Sequence, residues 1–148
     1  YIVTMYADFS HDYRVIPELI KQLAECDVVI GSRYIKGGKI QNWKLHRQLL
    51  SRAANFYVRL ILGLKIKDLT TGFNAYRKDT LFKSDFNSVR SDGYSFLVEL
   101  KYKLVKAGAR IKEYPITFSE RREGQSKMSG KIIWESVKLP WKLKMKNF

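Results

Sequence analysis

Short apolar runs separated by polar loops alternate with stretches whose apolar residues recur every three or four positions, and this divides the chain into strands and helices. Residues 1–5 read as a buried strand and 27–30 as a second. Between them, 15–25 read as a short helix with Pro17 in its first turn and Leu19, Ile20 and Leu23 facing inward. From 43 to 62 a long helix carries Leu45, Leu49, Ala53, Phe56 and Leu60 on one face, and Gly63 ends it. A turn-rich loop, Asp68-Leu69-Thr70-Thr71-Gly72, leads to a short strand over 73–76. Residues 94–107 then read as a helix stopped by Gly108, and 110–118 as a strand in which Pro115 implies an edge or a bulge. A polar loop over 120–129 precedes an amphipathic helix over 131–145, with Trp134, Val137, Trp141 and Met145 aligned and Pro140 expected to kink or split it. Strands alternating with helices predict an α/β fold with a largely parallel sheet. Ligand loops then belong beyond the carboxyl ends of the strands, where the loops after Met5, Ile30 and Phe118 are the polar ones.

A length of 148 residues suits one domain with a real core. Residue 1 is a Tyr already inside a β-like run, so the chain is expected to begin mid-fold. The lone Cys26 has no internal disulfide partner, which fits a reducing compartment. No signal peptide is visible, and no apolar run approaches the ~18 residues that span a bilayer. The net charge of +14 changes the picture more, because it calls for an anionic partner: nucleic acid, a phosphorylated ligand or an acidic membrane surface. The excess is concentrated in residues 121–148, which hold eight Lys/Arg against two Glu.

Three places could do chemistry. In Met5-Tyr6-Ala7-Asp8-Phe9-Ser10-His11-Asp12, the two carboxylates with Ser10 and His11 could hold a hard cation such as Mg²⁺ or Mn²⁺. The plainer alternative has Asp8 or Asp12 capping the next helix and His11 at the surface. On the long helix, Arg47, Ser51 and Asn55 recur every four residues as a polar stripe that would suit a phosphate group, with Arg33 converging from another strand end. A solvated helix face is the alternative there. The loop Arg121-Arg122-Glu123-Gly124-Gln125-Ser126-Lys127 could wrap a diphosphate and neutralise a leaving group, or be a solvated basic loop. Glu99 is a candidate buried partner for one of these arginines, or an ordinary exposed carboxylate. The terminal helix either docks its Trp face on the core or lies in a membrane interface, with Lys138, Lys142, Lys144 and Lys146 drawn to anionic lipid.

Six stretches in order resemble the polyprenol-phosphate (dolichol-phosphate) mannosyltransferases, which are family 2 glycosyltransferases with a GT-A, Rossmann-like domain. They are Ala7-Asp8-Phe9-Ser10-His11-Asp12; Gly31-Ser32-Arg33-Tyr34 with Gly37-Gly38; Trp43 with Arg47 and Ser51; Asp68-Leu69-Thr70-Thr71-Gly72-Phe73; Gly93-Tyr94-Ser95-Phe96 with Glu99; and Pro115-Ile116-Thr117-Phe118 leading to Arg121, Gly124, Ser126 and Lys127. The resemblance implies transfer of a mannosyl group from GDP-mannose to a polyprenyl phosphate with inversion. It places Asp8 and Ser10 at a site for Mg²⁺ or Mn²⁺, and Arg33, Arg47 and Ser51 on the acceptor phosphate. Arg121 and Lys127 fall on the donor phosphates, with Asp8 and Arg121 as the catalytic pair. An acceptor phosphate is already anionic, so positioning and stabilisation of the leaving diphosphate carry the reaction.

The chain departs from the family pattern at Tyr6, which stands where the first Asp of the metal motif is expected, and a phenol is a poor ligand for a hard metal at neutral pH. Tyr13 replaces a usual Pro. The family's N-terminal portion, with its nucleobase pocket, falls outside the sequence. Residues 1–130 are therefore expected to be a C-terminal portion of a GT-A domain, inactive alone, and 131–148 a basic amphipathic helix at the cytoplasmic face of a membrane. A polyprenyl-phosphate glucosyl- or other hexosyltransferase is the alternative within the class. A non-catalytic module binding an anionic membrane surface or nucleic acid is the alternative outside it; the interleaved glycines and acidic loop speak against that alternative, and no nucleic-acid partner is expected.

Overall fold

The computed structural model describes residues 1–120 and 130–145. Strand β1 (Ile2–Thr4) leads through a single 3-10 turn to helix α1 (Ile16–Gln22), and β2 (Val28–Ser32) and β3 (Lys39–Ile40) follow. Helix α2 (Leu45–Leu62), strand β4 (Asn74–Tyr76), helix α3 (Lys78–Lys83) and helix α4 (Gly93–Lys106) come next. The chain closes with β5 (Ile111–Pro115), β6 (Thr117–Phe118) and helix α5 (Gly130–Met145). The main sheet has the order β1-β4-β2-β5. Strands β1, β2 and β5 point the same way, as expected of an α/β protein, and β4 runs against them between β1 and β2. Apolar spacing identifies a strand but carries no direction, so the reversal of β4 was not readable from its sequence.

All five residues of β2 are buried, because helices cover both faces of the sheet. Val28 and Ile30 turn toward α2, α4 and α5, where they meet Val58, Leu100, Leu104 and Leu143. Val29 turns the other way onto Leu19 and Leu23 of α1, with Phe73 and Ala75 beside it. The expected inward residues of α1 are thus confirmed for Leu19 and Leu23, both fully buried. The stretch expected as one strand over 110–118 is two. It leaves the main sheet at Pro115, which has no N–H to extend the ladder, and re-pairs as β6 with β3. Gly38 lets this crossing close tightly, since a Cβ there would lie 2.7 Å from the carbonyl oxygen of Ser32.

Helix α2 turns its faces in the opposite sense from an ordinary surface helix. Leu45, Leu49, Phe56 and Leu60 are each more than half exposed, while Asn55, Val58 and Ile61 are buried. Periodicity defines two faces without saying which is covered. Here the polar stripe is covered because its groups find partners, and it is not a solvated face. Helix α5 runs unbroken through Pro140 rather than splitting, and it docks by Leu143 and Pro140 instead of its Trp face. Trp134, Trp141 and Met145 are more than half exposed. The indole N–H of Trp141 donates to Tyr57 Oη, which in turn donates to the carbonyl of Val137, and this ties α5 to α2.

Candidate active site

Strand β2 ends at Ser32 and delivers Arg33 into the interior, where its cost is offset by Asp68. Nε and Nη2 of Arg33 donate to the two oxygens of Asp68 at 2.7 and 2.8 Å, and the backbone N–H of Arg33 adds a third bond at 3.1 Å. Asp68 has no exposed surface. Burial alone would raise its pKa, but the hydrogen bonds and charge of Arg33 outweigh that and hold the carboxyl below its usual range. Burial likewise works against the charged guanidinium, and Asp68 more than offsets it. Three further groups fix the loop that carries Asp68. Glu113 of β5 accepts from the N–H groups of Lys67 and Asp68, Asn55 Oδ1 from that of Leu69, and Asn55 Nδ2 donates to Thr70 Oγ1. Asn55, expected beside a phosphate, is therefore a loop anchor. The last tie is Lys101 of α4, fully buried, whose Nζ donates to the carbonyls of Leu69 and Thr71 at 2.9 and 2.8 Å. Burial pulls its pKa down to about 7.

The other expected phosphate ligands gather around Trp43. The guanidinium carbon of Arg47 lies 4.1 Å from the Trp43 ring and that of Arg33 5.6 Å, so one indole carries both cations. Arg47 also reaches Glu120 at 3.2 Å. Ser51 accepts from Tyr34 Oη at 2.6 Å, and the Tyr34 ring lies under Arg33 at 5.1 Å. Arg33, Arg47 and Ser51 are thus brought into one cluster by two aromatic rings. Only Arg47 of the two arginines is accessible enough to meet a ligand directly, because Arg33 is 7% exposed.

Phe118 connects this cluster to the loop after β1. Its ring meets Trp43 at 5.3 Å, Arg33 at 5.2 Å and His11 at 5.2 Å. His11 is buried among Tyr6, Phe73 and Phe118, not at the surface. Desolvation lowers its pKa to about 4 and keeps the ring neutral, with Nδ1 accepting from the N–H of Tyr6. Asp12 does take the capping role: it accepts from the N–H of Arg14 and pairs with that guanidinium. Asp8 is held by Ser10, whose N–H and hydroxyl both donate to Oδ1. The Tyr6 ring covers Gly72, where even a Cβ would lie 2.7 Å from the phenol carbon. Ser10 and Asp8 are therefore adjacent, as a metal site needs. With Asp12 turned to Arg14 and Tyr6 in the place of a carboxylate, however, Asp8 is the one carboxylate the loop could turn to an ion, and Ser10 already donates to its Oδ1. No group of three His, Cys, Asp or Glu side chains that could hold an ion occurs among the described residues. That donor set does not fit a hard cation held by the protein alone.

Tyr6 and Gly72 also wall a cleft of about 1260 Å³ that runs past Tyr94 and Phe96 at the start of α4 to Lys138 of α5. Glu99 is buried, as one reading had it, but its oxygen accepts from the N–H and hydroxyl of Ser91. Arg121, Lys127 and the loop around them lie outside the described residues, as does Lys146. The sequence reading passed over two residues of this site. Asp68 appeared as part of a turn and of one of the family stretches but was given no role, although it is the one carboxylate of its loop, and Lys101 gave no signal among the many lysines of the chain.

The model of the family described as "Glycosyl transferase family 2" matches residues 1–83, from β1 through α3, and so takes in the Asp8 loop, Arg33, the α2 stripe and Asp68. The chain belongs to glycosyl transferase family 2. As a member of that family it is 45% identical over 92% of its length to an undecaprenyl-phosphate mannosyltransferase of Micrococcus luteus. It is 43% identical over 92% of its length to a polyprenol monophosphomannose synthase of Mycolicibacterium smegmatis, and 38% identical over 95% to a dolichol-phosphate mannosyltransferase of Pyrococcus furiosus. These alignments cover 56%, 52% and 40% of the three relatives, so this family 2 chain spans about half the length of the curated relatives it matches.

Proposed function

We propose that the chain carries the acceptor half of a polyprenol-phosphate mannosyltransferase, which transfers a mannosyl group from GDP-mannose to a polyprenyl phosphate with inversion. The observation that carries this reading is the convergence of Arg33 and Arg47 on Trp43, with Ser51 next to them, beside an exposed apolar helix face. A polyprenyl phosphate has that shape: a phosphate head at the protein and an apolar tail in the bilayer. Arg47 meets the phosphate, and the charge of Arg33 acts from beneath. The acceptor is already an anion, so its oxygen can attack the anomeric carbon without a strong base, and inversion follows from a single displacement. Asp8 is placed at the reaction centre, two residues along the chain from Tyr6, which lines the large cleft where a nucleotide sugar would lie. Arg121 and Lys127 are assigned to the donor phosphates by the family resemblance, with the role of stabilising the departing diphosphate. No step is assigned to a metal.

The exposed Leu45, Leu49, Phe56 and Leu60 of α2, with Trp134 and Trp141 of α5 nearby and Lys138 and Lys142 beside them, make a membrane-facing surface of interfacial character. No helix among the described residues is long and apolar enough to cross a membrane. Replacing Arg47 with Ala tests the acceptor assignment. Loss of a charge-assisted contact is expected to weaken binding of a short-chain polyprenyl phosphate about tenfold or more, read by titration against wild type. Equal affinity in the two proteins would refute it.

The same reading makes Tyr6→Asp informative. A second carboxylate beside Asp8 is expected to strengthen Mn²⁺ binding about tenfold or more, measured by the loss of the free-ion paramagnetic resonance signal. An unchanged signal would mean that Asp8 and residue 6 do not form one metal locus.

A further inference from the structure

One cluster of cations has no role in the acceptor site. Arg52, Asn55, Phe56 and Arg59 follow one another along a single face of α2, and with Tyr34 and Lys67 they line a small pocket of about 140 Å³. Arg52, Arg59 and Lys67 have no carboxylate partner within ion-pair distance among the described residues. Glu113, the acidic side chain near Lys67, is spent on backbone N–H groups. The Nε–H of Arg59 is buried and has no acceptor among the described residues. Buried donors in folded proteins are nearly always satisfied, so a guanidinium N–H without a protein acceptor in a three-cation pocket suits an anion as its partner.

We infer that this pocket binds the phosphate of an anionic bilayer lipid, at a site separate from that of the acceptor. Its position names the source of the anion. Phe56 forms part of its wall and is exposed, and Leu49, two turns before it, and Leu60, one turn after it, lie on the same outward stripe. An anion at this spot is level with the headgroups of a membrane into which those side chains dip. A guanidinium pair suits a phosphate through parallel N–H donors. Tyr34 separates the two sites. The Arg52 carbon lies 5.9 Å from its ring and the Arg33 carbon 5.1 Å, so a lipid phosphate here would abut the acceptor site without entering it. The inference rests on the membrane-facing reading of α2.

The test compares two double variants that remove the same charge. Arg52→Ala with Arg59→Ala empties the pocket, and Lys21→Ala with Lys106→Ala removes two exposed lysines from α1 and the end of α4. Sedimentation is measured with vesicles of phosphatidylcholine and phosphatidylglycerol mixed four parts to one. The pocket variant is expected to bind about tenfold more weakly than the lysine variant, since both lose the same diffuse attraction and only the pocket variant loses the guanidinium donors to the phosphate. Equal weakening in both would show diffuse attraction and overturn the site. The single Arg52→Ala variant, at an exposed helical position, gives the same comparison against Lys21→Ala if the double variant does not fold. Inorganic phosphate at the same phosphate concentration is the second arm. If it releases wild-type protein from the vesicles, the pocket takes a free anion and the lipid assignment falls. The Arg47→Ala variant separates this from the acceptor reading. Should it retain polyprenyl phosphate while the pocket variant loses the vesicles, the acceptor reading fails and the lipid site stands.

Discussion

Replacing Asp68 with Ala is expected to destabilise the protein by about 3–5 kcal/mol, the cost of leaving a buried guanidinium without its counter-ion. Few substitutions in the chain should do more. Asp68 is fully buried, accepts three hydrogen bonds from Arg33, and its charge is also what partly supports the ammonium of Lys101. Asn at the same position keeps the shape but not the charge, so it should recover part of the packing and little of the electrostatic loss. The sign with pH follows from the depressed carboxyl. Its contribution is complete above the ordinary carboxylate value of about 4 and disappears as pH falls through the lower native value. Function should fail with stability, because Arg33 freed from Asp68 no longer lies on the rings of Trp43 and Tyr34. Denaturant melts of wild type, Asp68→Asn and Asp68→Ala decide the matter. A loss under about 1 kcal/mol for the alanine variant would mean that Arg33 has found another acceptor or water.

The strand and helix order was legible because it rests on local spacing. Leu19 and Leu23 went inward as their period required, Gly63 and Gly108 stopped helices in a left-handed conformation, and the motifs around Arg33, Arg47 and Ser51 did come together. What local spacing could not carry was any property set by a distant partner. The direction of β4, the change of sheet at Pro115 and the burial of His11 among three rings are all of this kind. So is the outward leucine face of α2. A helix whose polar stripe is taken up by Asp68-loop contacts on the inside leaves its apolar stripe exposed, and that inversion is what supports the membrane-facing reading proposed above. Asp68 and Lys101 were missed for the same reason. Each is an ordinary charged residue in the sequence and becomes important only through a partner more than thirty residues away.

Lys101 should give the clearest pH signature in the protein. Its ammonium is buried beside the Asp68 carboxylate, with Arg33 opposing it and Glu113 on the β5 side, and burial dominates. Native Lys101 therefore releases its proton near pH 7, whereas in the unfolded chain it keeps it until about 10.4. Between those values the unfolded state holds the extra proton, so stability rises with pH across the window, and below pH 7 the full cost of the buried charge is present. The gap corresponds to roughly 5 kcal/mol. Lys101→Met removes the cost and also the two hydrogen bonds that hold the carbonyls of Leu69 and Thr71, each worth about 1–3 kcal/mol when left unmade. These terms nearly cancel in mildly acid solution and do not cancel in base. The variant should match wild type near pH 6 and fall below it by about 2–4 kcal/mol near pH 10. Taking the difference between the two proteins removes the titration of every other group, including the buried Tyr76, whose pKa burial pushes to about 12. A difference that stays constant from pH 6 to pH 10 would show that Lys101 keeps its proton, and that a compensating charge on the Asp68 side is stronger than its burial.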